Sequence, residues 1–229
     1  MQIVCVLRSG GDYGVEHVEK LFWCCRKHVL GDFNFWCYTD LYPSDFMDPV
    51  FFHRGFHWVG LEDNWPGWWS KFELFRKNPW LTGPRLYLDL DTVVTGRLDD
   101  LFCYFNKDLV TFDAMKKRAC SRNELCSGVM WWEKDLSVIY DAVKPIVEAR
   151  MQSPDTLFQY PLEQEILRDL VKEHGFSLDN FSNQTPGKVL SYKYDKVGDT
   201  VPEDARIIAF HGKPRPWDVK HDWIDAAWA

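Results

Sequence analysis

The chain has no apolar run near the roughly 18 residues that a membrane-spanning helix requires. It also lacks a C-x-x-C pair, a repeat, a low-complexity tract and a linker-like stretch. Positive charge is in deficit: 27 Lys and Arg face 34 Asp and Glu, for a formal net charge of -7. Each shortage excludes something. Met1 to Arg8 is too short and too weakly basic for a secretory leader and reads directly as a core strand. The seven cysteines (5, 24, 25, 37, 103, 120 and 126) are odd in number. Without C-x-x-C spacing they argue against a disulfide framework or a zinc centre, and for reduced, mostly buried thiols in the cytoplasm. An acidic chain is a poor default nucleic-acid binder. A phosphate-bearing ligand would need local positive charge, and a divalent cation is the obvious source.

What is present is bulky and apolar. Apolar residues make up 46% of the 229, which excludes disorder as the main state. The length fits one domain spanning residues 1–229. Aromatics reach 16%, with 12 tryptophans, enough for a heavy core or for planar surfaces that pack on ligand rings.

Patterning gives the fold class. Gln2 to Arg8 is a short apolar run ended by Ser9-Gly10-Gly11-Asp12. Val15, Val18, Leu21 and Phe22 have helical spacing within Val15 to Leu30. Phe33 to Thr39 is a second strand, ended by Asp40. Strand, glycine loop, helix and strand in this order open an α/β unit with a parallel sheet. Ligands of such sheets bind beyond the carboxyl ends of the strands, so the loops at 9–14 and after 39 are candidate ligand loops. Residues 41–70 read as irregular, 68–77 as a helix, 85–94 as one strand, and 109–112 and 129–132 as further strands. Helical spacing recurs at 136–149, with Pro145 as a kink or break, and at 162–174. Late strands are expected at 189–194 and 207–210.

Two motifs carry chemistry. Asp89-Leu90-Asp91 interrupts Leu86-Tyr87-Leu88 and Thr92-Val93-Val94. Charge within an apolar strand is costly unless paired or bound to metal. In extended chain, residues two apart share a side, so Asp89 and Asp91 are expected to present two hard oxygen ligands together, a set suited to Mn2+ or Mg2+. The second motif is Ile207-Ile-Ala-Phe-His211-Gly212-Lys213-Pro-Arg215-Pro-Trp217. In a regular strand, His211 shares a side with Ala209. Lys213 and Arg215 are candidates for a diphosphate, Arg215 as a planar fork.

Together with Ser70-Lys71-Phe72 and Leu98-Asp-Asp-Leu-Phe102, these motifs resemble glycogenin-like transferases, glycosyltransferase family 8. The resemblance runs from the first strand to Trp217. It implies a GT-A fold, a Rossmann-like mixed sheet flanked by helices. It implies a transferase that uses a nucleotide-sugar donor, with UDP expected, together with Mn2+, and that retains anomeric configuration. Asp89, Asp91 and His211 would hold the metal, although the family histidine aligns with Ala209. Lys71 would contact the donor. Ser127-Gly128 would line its sugar, with Cys126 where the family has Asn. Glu163 and Gln164 would lie at the sugar and the reacting carbon. Tyr13 would meet the base, and Asp40 the ribose or base. The acceptor is unspecified: a glycan, a protein or a modified nucleic acid. Trp65, Trp68 or Trp69 are candidates for an acceptor groove. The basic run Lys116-Lys117-Arg118 with Arg122 is a solvated loop or a contact for an anionic acceptor. Two other readings stand beside this one: a haloacid-dehalogenase-like phosphohydrolase with Asp89 as nucleophile, and a non-catalytic carbohydrate-binding domain of the same fold.

Overall fold

A computed structural model describes residues 1–46, 55–101, 105–113, 125–157 and 159–228. Cys103, Cys120 and the basic run at 116–122 lie outside the described residues. The other five cysteines are free and buried.

The first unit forms as its pattern dictates. Strand β1 (Gln2–Leu7) is buried on both faces at Ile3, Val4 and Cys5, as the interior strand of a parallel sheet should be. Helix α1 (Val15–His28) buries Val18, Leu21, Phe22, Cys24 and Cys25 against it, and its last turn carries Arg26, Lys27 and His28, matching the helix dipole. Strand β2 (Asn34–Thr39) returns parallel to β1, with Cys5 opposite Cys37. Strand β3 (Phe56–Gly60) extends the sheet beyond β2. Its five residues lie within a stretch whose prolines and glycines had read as irregular.

On the other side of β1 the order is β4 (Arg85–Leu88), β7 (Cys126–Trp132), β6 (Leu109–Phe112) and β8 (Leu178–Asn180), completing a seven-stranded sheet β3-β2-β1-β4-β7-β6-β8. β4 runs parallel to β1 and antiparallel to β7. The sheet is therefore mixed, as the GT-A expectation required. The chain turns back on its strand order between β1 and β4, and ligands of such sheets bind beyond the carboxyl ends of the strands at this point. Leu7 and Leu88 are the last residues of these two strands.

The core lies on both faces of the sheet. One side gathers Phe22, Phe35, Phe56, Val94 and Ile208. The other gathers Trp65, Trp69, Phe72, Tyr87, Trp132 and Ile139. Helices α2 (Ser137–Met151) and α4 (Glu163–Glu173) pack on this second side, with the short α3 (Pro154–Leu157) between them. Pro145 does not break α2. Buried Val143 and Val147 flank it and anchor the helix on both sides, offsetting the roughly 3 kcal/mol that an internal proline costs. The helix expected over 68–77 is a 3-10 helix, Gly67–Phe75. Trp65 and Trp69 are core residues at 1% and 0% exposure, which removes them as groove walls, while Trp68 stays 43% exposed.

The strand expected over 85–94 is two strands. A turn closes at Asp89-Leu90-Asp91, with the Thr92 N–H donating to the Asp89 carbonyl at 3.0 Å. Beyond it β5 (Thr92–Val94) leaves the main sheet and pairs antiparallel with β10 (Ile207–Ala209), which also lies parallel to β9 (Val189–Ser191). Two charged side chains have no place in an apolar ladder, so the ladder ends where they begin. The Asp pair is thus formed by a turn, not by extended-chain alternation. The small sheet sets Ala209 opposite Thr92, which carries the C-terminal motif back to the Asp pair. The short α5 (Phe181–Gln184) and the late α6 (Asp222–Trp228) complete the α-helices among the described residues.

Candidate functional site

Asp89 is the first residue past β4. Its N–H donates to the Gly128 carbonyl at 2.9 Å, continuing the β4–β7 ladder by one rung. The approach is close: a Cβ on Gly128 would stand 3.2 Å from Asp89 Oδ2. Lys71 Nζ donates to both carboxylate oxygens, at 2.8 Å to Oδ1 and 3.1 Å to Oδ2, and to Ser127 Oγ at 3.3 Å. The Tyr87 hydroxyl donates to Asp89 Oδ1, and the Tyr87 ring lies 5.5 Å beneath the Lys71 ammonium. Burial alone would lower the Lys71 pKa, but the Asp89 and Glu163 carboxylates outweigh it and hold the ammonium above its ordinary value.

Asp91 is 1% exposed. Its Oδ2 accepts from the Tyr13 hydroxyl at 2.9 Å and from the Arg215 guanidinium. Its Oδ1 has no hydrogen-bond partner among the described residues. Burial, then the neighbouring Asp89 charge, push the Asp91 carboxyl up to about 6, against the pull of Arg215. Arg215 also lies over the Tyr13 ring at 5.1 Å. Burial and the two Asp charges raise the Tyr13 hydroxyl far above its ordinary value, so it remains a donor.

Glu163 opens α4 and is almost wholly buried behind Lys71 and Ser127. Burial pushes its carboxyl up to about 7, with Lys71 and a Ser127 hydrogen bond pulling the other way. Near neutrality it therefore carries a proton much of the time. Gln164, the next residue, is half-buried. Asp40 spends its carboxylate on the β1 loop, accepting from the Ser9 N–H at 2.8 Å and the Ser9 hydroxyl at 2.5 Å, with Arg8 at 3.6 Å. Gly212 takes φ +67°, a backbone conformation suited to glycine, and the adjacent Lys213 side chain is exposed.

The remote motifs thus meet. Tyr13, Asp89, Asp91 and Arg215 form one charged cluster, with Lys71, Ser127, Gly128 and Glu163 behind it. His211 is the exception. β10 ends at Ala209, so the alternation that would have placed 209 and 211 on one side does not continue. The His211 ring stacks on Tyr194 at 5.1 Å, and its Nε2 pairs with Ser191 Oγ at 2.7 Å. Among the described residues no three His, Cys, Asp or Glu side chains gather around one point, so the expected triad is not assembled. The carboxylate pair by itself does fit a divalent cation. It supplies hard oxygens, and one of them is buried without a partner.

The sequence reading missed Tyr87 and the aromatic collar. Tyr87 sits two residues before Asp89 on the strand leading into it, a period-two signal that was available. Trp217 and His17 flank Tyr13 edge-on, at 5.9 and 5.6 Å. Beside the site, past the end of β1, lies an open cleft of about 470 Å³ with Arg8, Gly10, Asn64, Gly67, Met151 and Leu157 among its walls.

No family model and no curated protein matches the sequence. Solved structures do match its fold. The glycosyltransferase GlyE of Streptococcus pneumoniae TIGR4 superposes with a TM-score of 0.68 at 14% identity, over 100% of this chain and 60% of GlyE. The galactosyltransferase LgtC, in complex with donor and acceptor sugar analogs, gives 0.62 at 13% identity, over 99% of this chain and 94% of LgtC. An active-site Gln-to-Glu mutant of LgtC gives 0.58 at 15% identity. This chain spans about 60% of the length of GlyE. At these identities the likeness is one of fold: a mixed α/β sheet of the GT-A glycosyltransferase type. Among the described residues no helix is long and apolar enough to cross a membrane.

Proposed function

We propose that this chain is a glycosyltransferase that moves a sugar from a nucleotide-diphosphate sugar, with UDP the expected nucleotide, to an acceptor hydroxyl. Asp89 and Asp91 would hold a divalent cation, Mn2+ or Mg2+. One observation carries the reading: a carboxylate pair, half-buried Asp89 and buried Asp91, lies at the β1/β4 switch point, one Asp91 oxygen has no partner among the described residues, and Arg215 meets Asp91 from far along the chain. The fold of GlyE and LgtC supports it.

When bound, the cation supplies Lewis-acid stabilisation to the departing diphosphate. The protein's own groups do the rest. Arg215 and Lys213 offer positive charge to the phosphate oxygens. Lys71 and Tyr87 fix the Asp89 carboxylate in one orientation. Tyr13 and Asp40 belong to the loops that would take the nucleoside. Ser127 and Gly128 let the backbone approach the sugar. Glu163 and Gln164, at the first turn of α4, would face the sugar and the anomeric carbon, and the Glu163 carboxyl in its protonated form is a hydrogen-bond donor. The acceptor oxygen bonds to the anomeric carbon as the bond to the diphosphate breaks. The electron pair leaves with the diphosphate, which can accept the acceptor's proton. Retention is assigned on the family resemblance alone, and no role toward the cation is assigned to His211, whose ring meets Ser191 and Tyr194.

A panel of nucleotide sugars, each with and without Mn2+, tests the reading by thermal stabilisation and slow donor hydrolysis. One or more donors should stabilise the chain only with metal. Release of inorganic phosphate from simple esters, abolished by Asp89→Asn, would instead establish the phosphohydrolase. That alternative is disfavoured because the mixed sheet order β3-β2-β1-β4-β7-β6-β8 is that of the GT-A type. Sugar binding that needs no metal and survives Asp91→Asn would establish the non-catalytic carbohydrate binder.

A further inference from the structure

We infer that Arg215 and a divalent cation are rival counter-charges for the Asp91 carboxylate, so that metal and nucleoside diphosphate bind this chain cooperatively through Arg215. The inference rests on the sugar-transferase reading above. Asp91 offers one partnered oxygen and one that has no partner among the described residues, and its Oδ2 is shared by Arg215 and Tyr13. The other commitments of the Arg215 side chain are weak: exposed Asp12 at 3.8 Å and the face of Tyr13 at 5.1 Å. Its backbone is better anchored. The Arg215 N–H donates to Asp218 Oδ2 at 2.9 Å, and neighbouring Trp217 packs edge-on against Tyr13. The guanidinium can therefore change partner without moving the chain that carries it.

A cation on Asp91 sets like charge beside that guanidinium in a poorly solvated place, where repulsion is strong. Lys71 acts on Asp91 through its charge alone, less than Arg215 does, since its hydrogen bonds go to Asp89 and Ser127. The conflict is relieved when a diphosphate supplies new acceptors, because the planar fork of arginine matches phosphate oxygens as well as carboxylate. Metal then favours diphosphate and diphosphate favours metal, by the same factor. Methionine at 215 keeps the apolar stem and deletes the charge. Lysine keeps the charge and deletes the fork.

The test titrates Mn2+ into the full chain at pH 8, read by electron paramagnetic resonance, with and without UDP. Wild-type protein should bind Mn2+ more tightly with UDP, within the roughly 5–150-fold range usual for coupled sites. Arg215→Met should bind Mn2+ alone several-fold more tightly than wild type and lose the share of the coupling that Arg215 carries, keeping only the direct cation–diphosphate share. Arg215→Lys should fall between the two. If Arg215→Met binds Mn2+ alone no more tightly than wild type, or keeps the full coupling, the inference is overturned while the transferase reading stands. If Arg215→Met does not fold, an unchanged coupling in Arg215→Lys overturns it equally. If wild-type protein binds neither Mn2+ nor UDP, the transferase reading fails and the inference fails with it.

Discussion

The buried Glu163 carboxyl makes the stability of this chain depend on pH in a calculable way. Its folded-state value of about 7 stands above the ordinary 4.5, a gap of about 2.5. At about 1.4 kcal/mol for each tenfold, the gap is worth roughly 3.5 kcal/mol. The sign follows from proton counting. The folded chain holds this proton more tightly than the unfolded chain, so the stabilisation is fully present below 4.5 and is lost as pH rises through about 7. Glu163→Gln has no proton to lose and keeps a polar partner for Ser127. Subtracting variant from wild type in urea titrations cancels every other ionisation that the two share. The wild type should lose roughly 2.5 kcal/mol relative to Glu163→Gln between about pH 5 and pH 8.5. In melting curves this corresponds to roughly 5–10 °C for a chain of this size. A difference that stays flat across that range would show that Glu163 is not the buried acid described, and its placement behind Lys71 and Ser127 would have to be abandoned.

Two further perturbations address the support of Asp89. Tyr87→Phe deletes only the hydroxyl that donates to Asp89 Oδ1, and a hydrogen bond to a charged group is worth about 1.5–3 kcal/mol. Mn2+ affinity measured by calorimetry should fall about tenfold or more, with the native near-ultraviolet spectrum kept; an unchanged affinity would separate Tyr87 from the site. Gly128→Ala places a methyl 3.2 Å from Asp89 Oδ2, which must push the Asp89–Lys71 pair aside. Metal affinity and sugar-nucleotide turnover should both drop while the chain stays folded, and retention of both would mean that Gly128 serves only the strand.

The opening β1–α1–β2 unit was legible because burial on both faces of a strand and on one stripe of a helix writes itself into apolar spacing. Short strands were legible in part: those near 109–112, 189–191 and 207–209 were read, while two others were not. β3 and β8 have five and three residues, and their partners, not their own pattern, hold them in the sheet. Residues 85–94 showed the reverse problem. The run looks continuous because both halves are buried, yet the halves belong to different sheets, joined by the turn at the Asp pair. The parts of the site were visible in sequence through the cost of placing Asp89 and Asp91 within apolar chain. Their partners were visible only in part, because Arg215 lies 124 residues away from Asp91 and meets it only through the β5–β10 pairing. His211 was misplaced for a local reason: β10 ends before it, and alternation stops where the strand stops.

The central claim is that Asp91 binds a divalent cation on which donor binding depends. Equilibrium binding of a UDP-sugar to wild type and to Asp91→Asn, each with Mn2+ and with excess chelator, tests it most directly. Wild-type protein should bind the donor with Mn2+ and lose most of that affinity in chelator, while Asp91→Asn should bind weakly and be indifferent to metal. Equal donor affinity in all four conditions would contradict the claim.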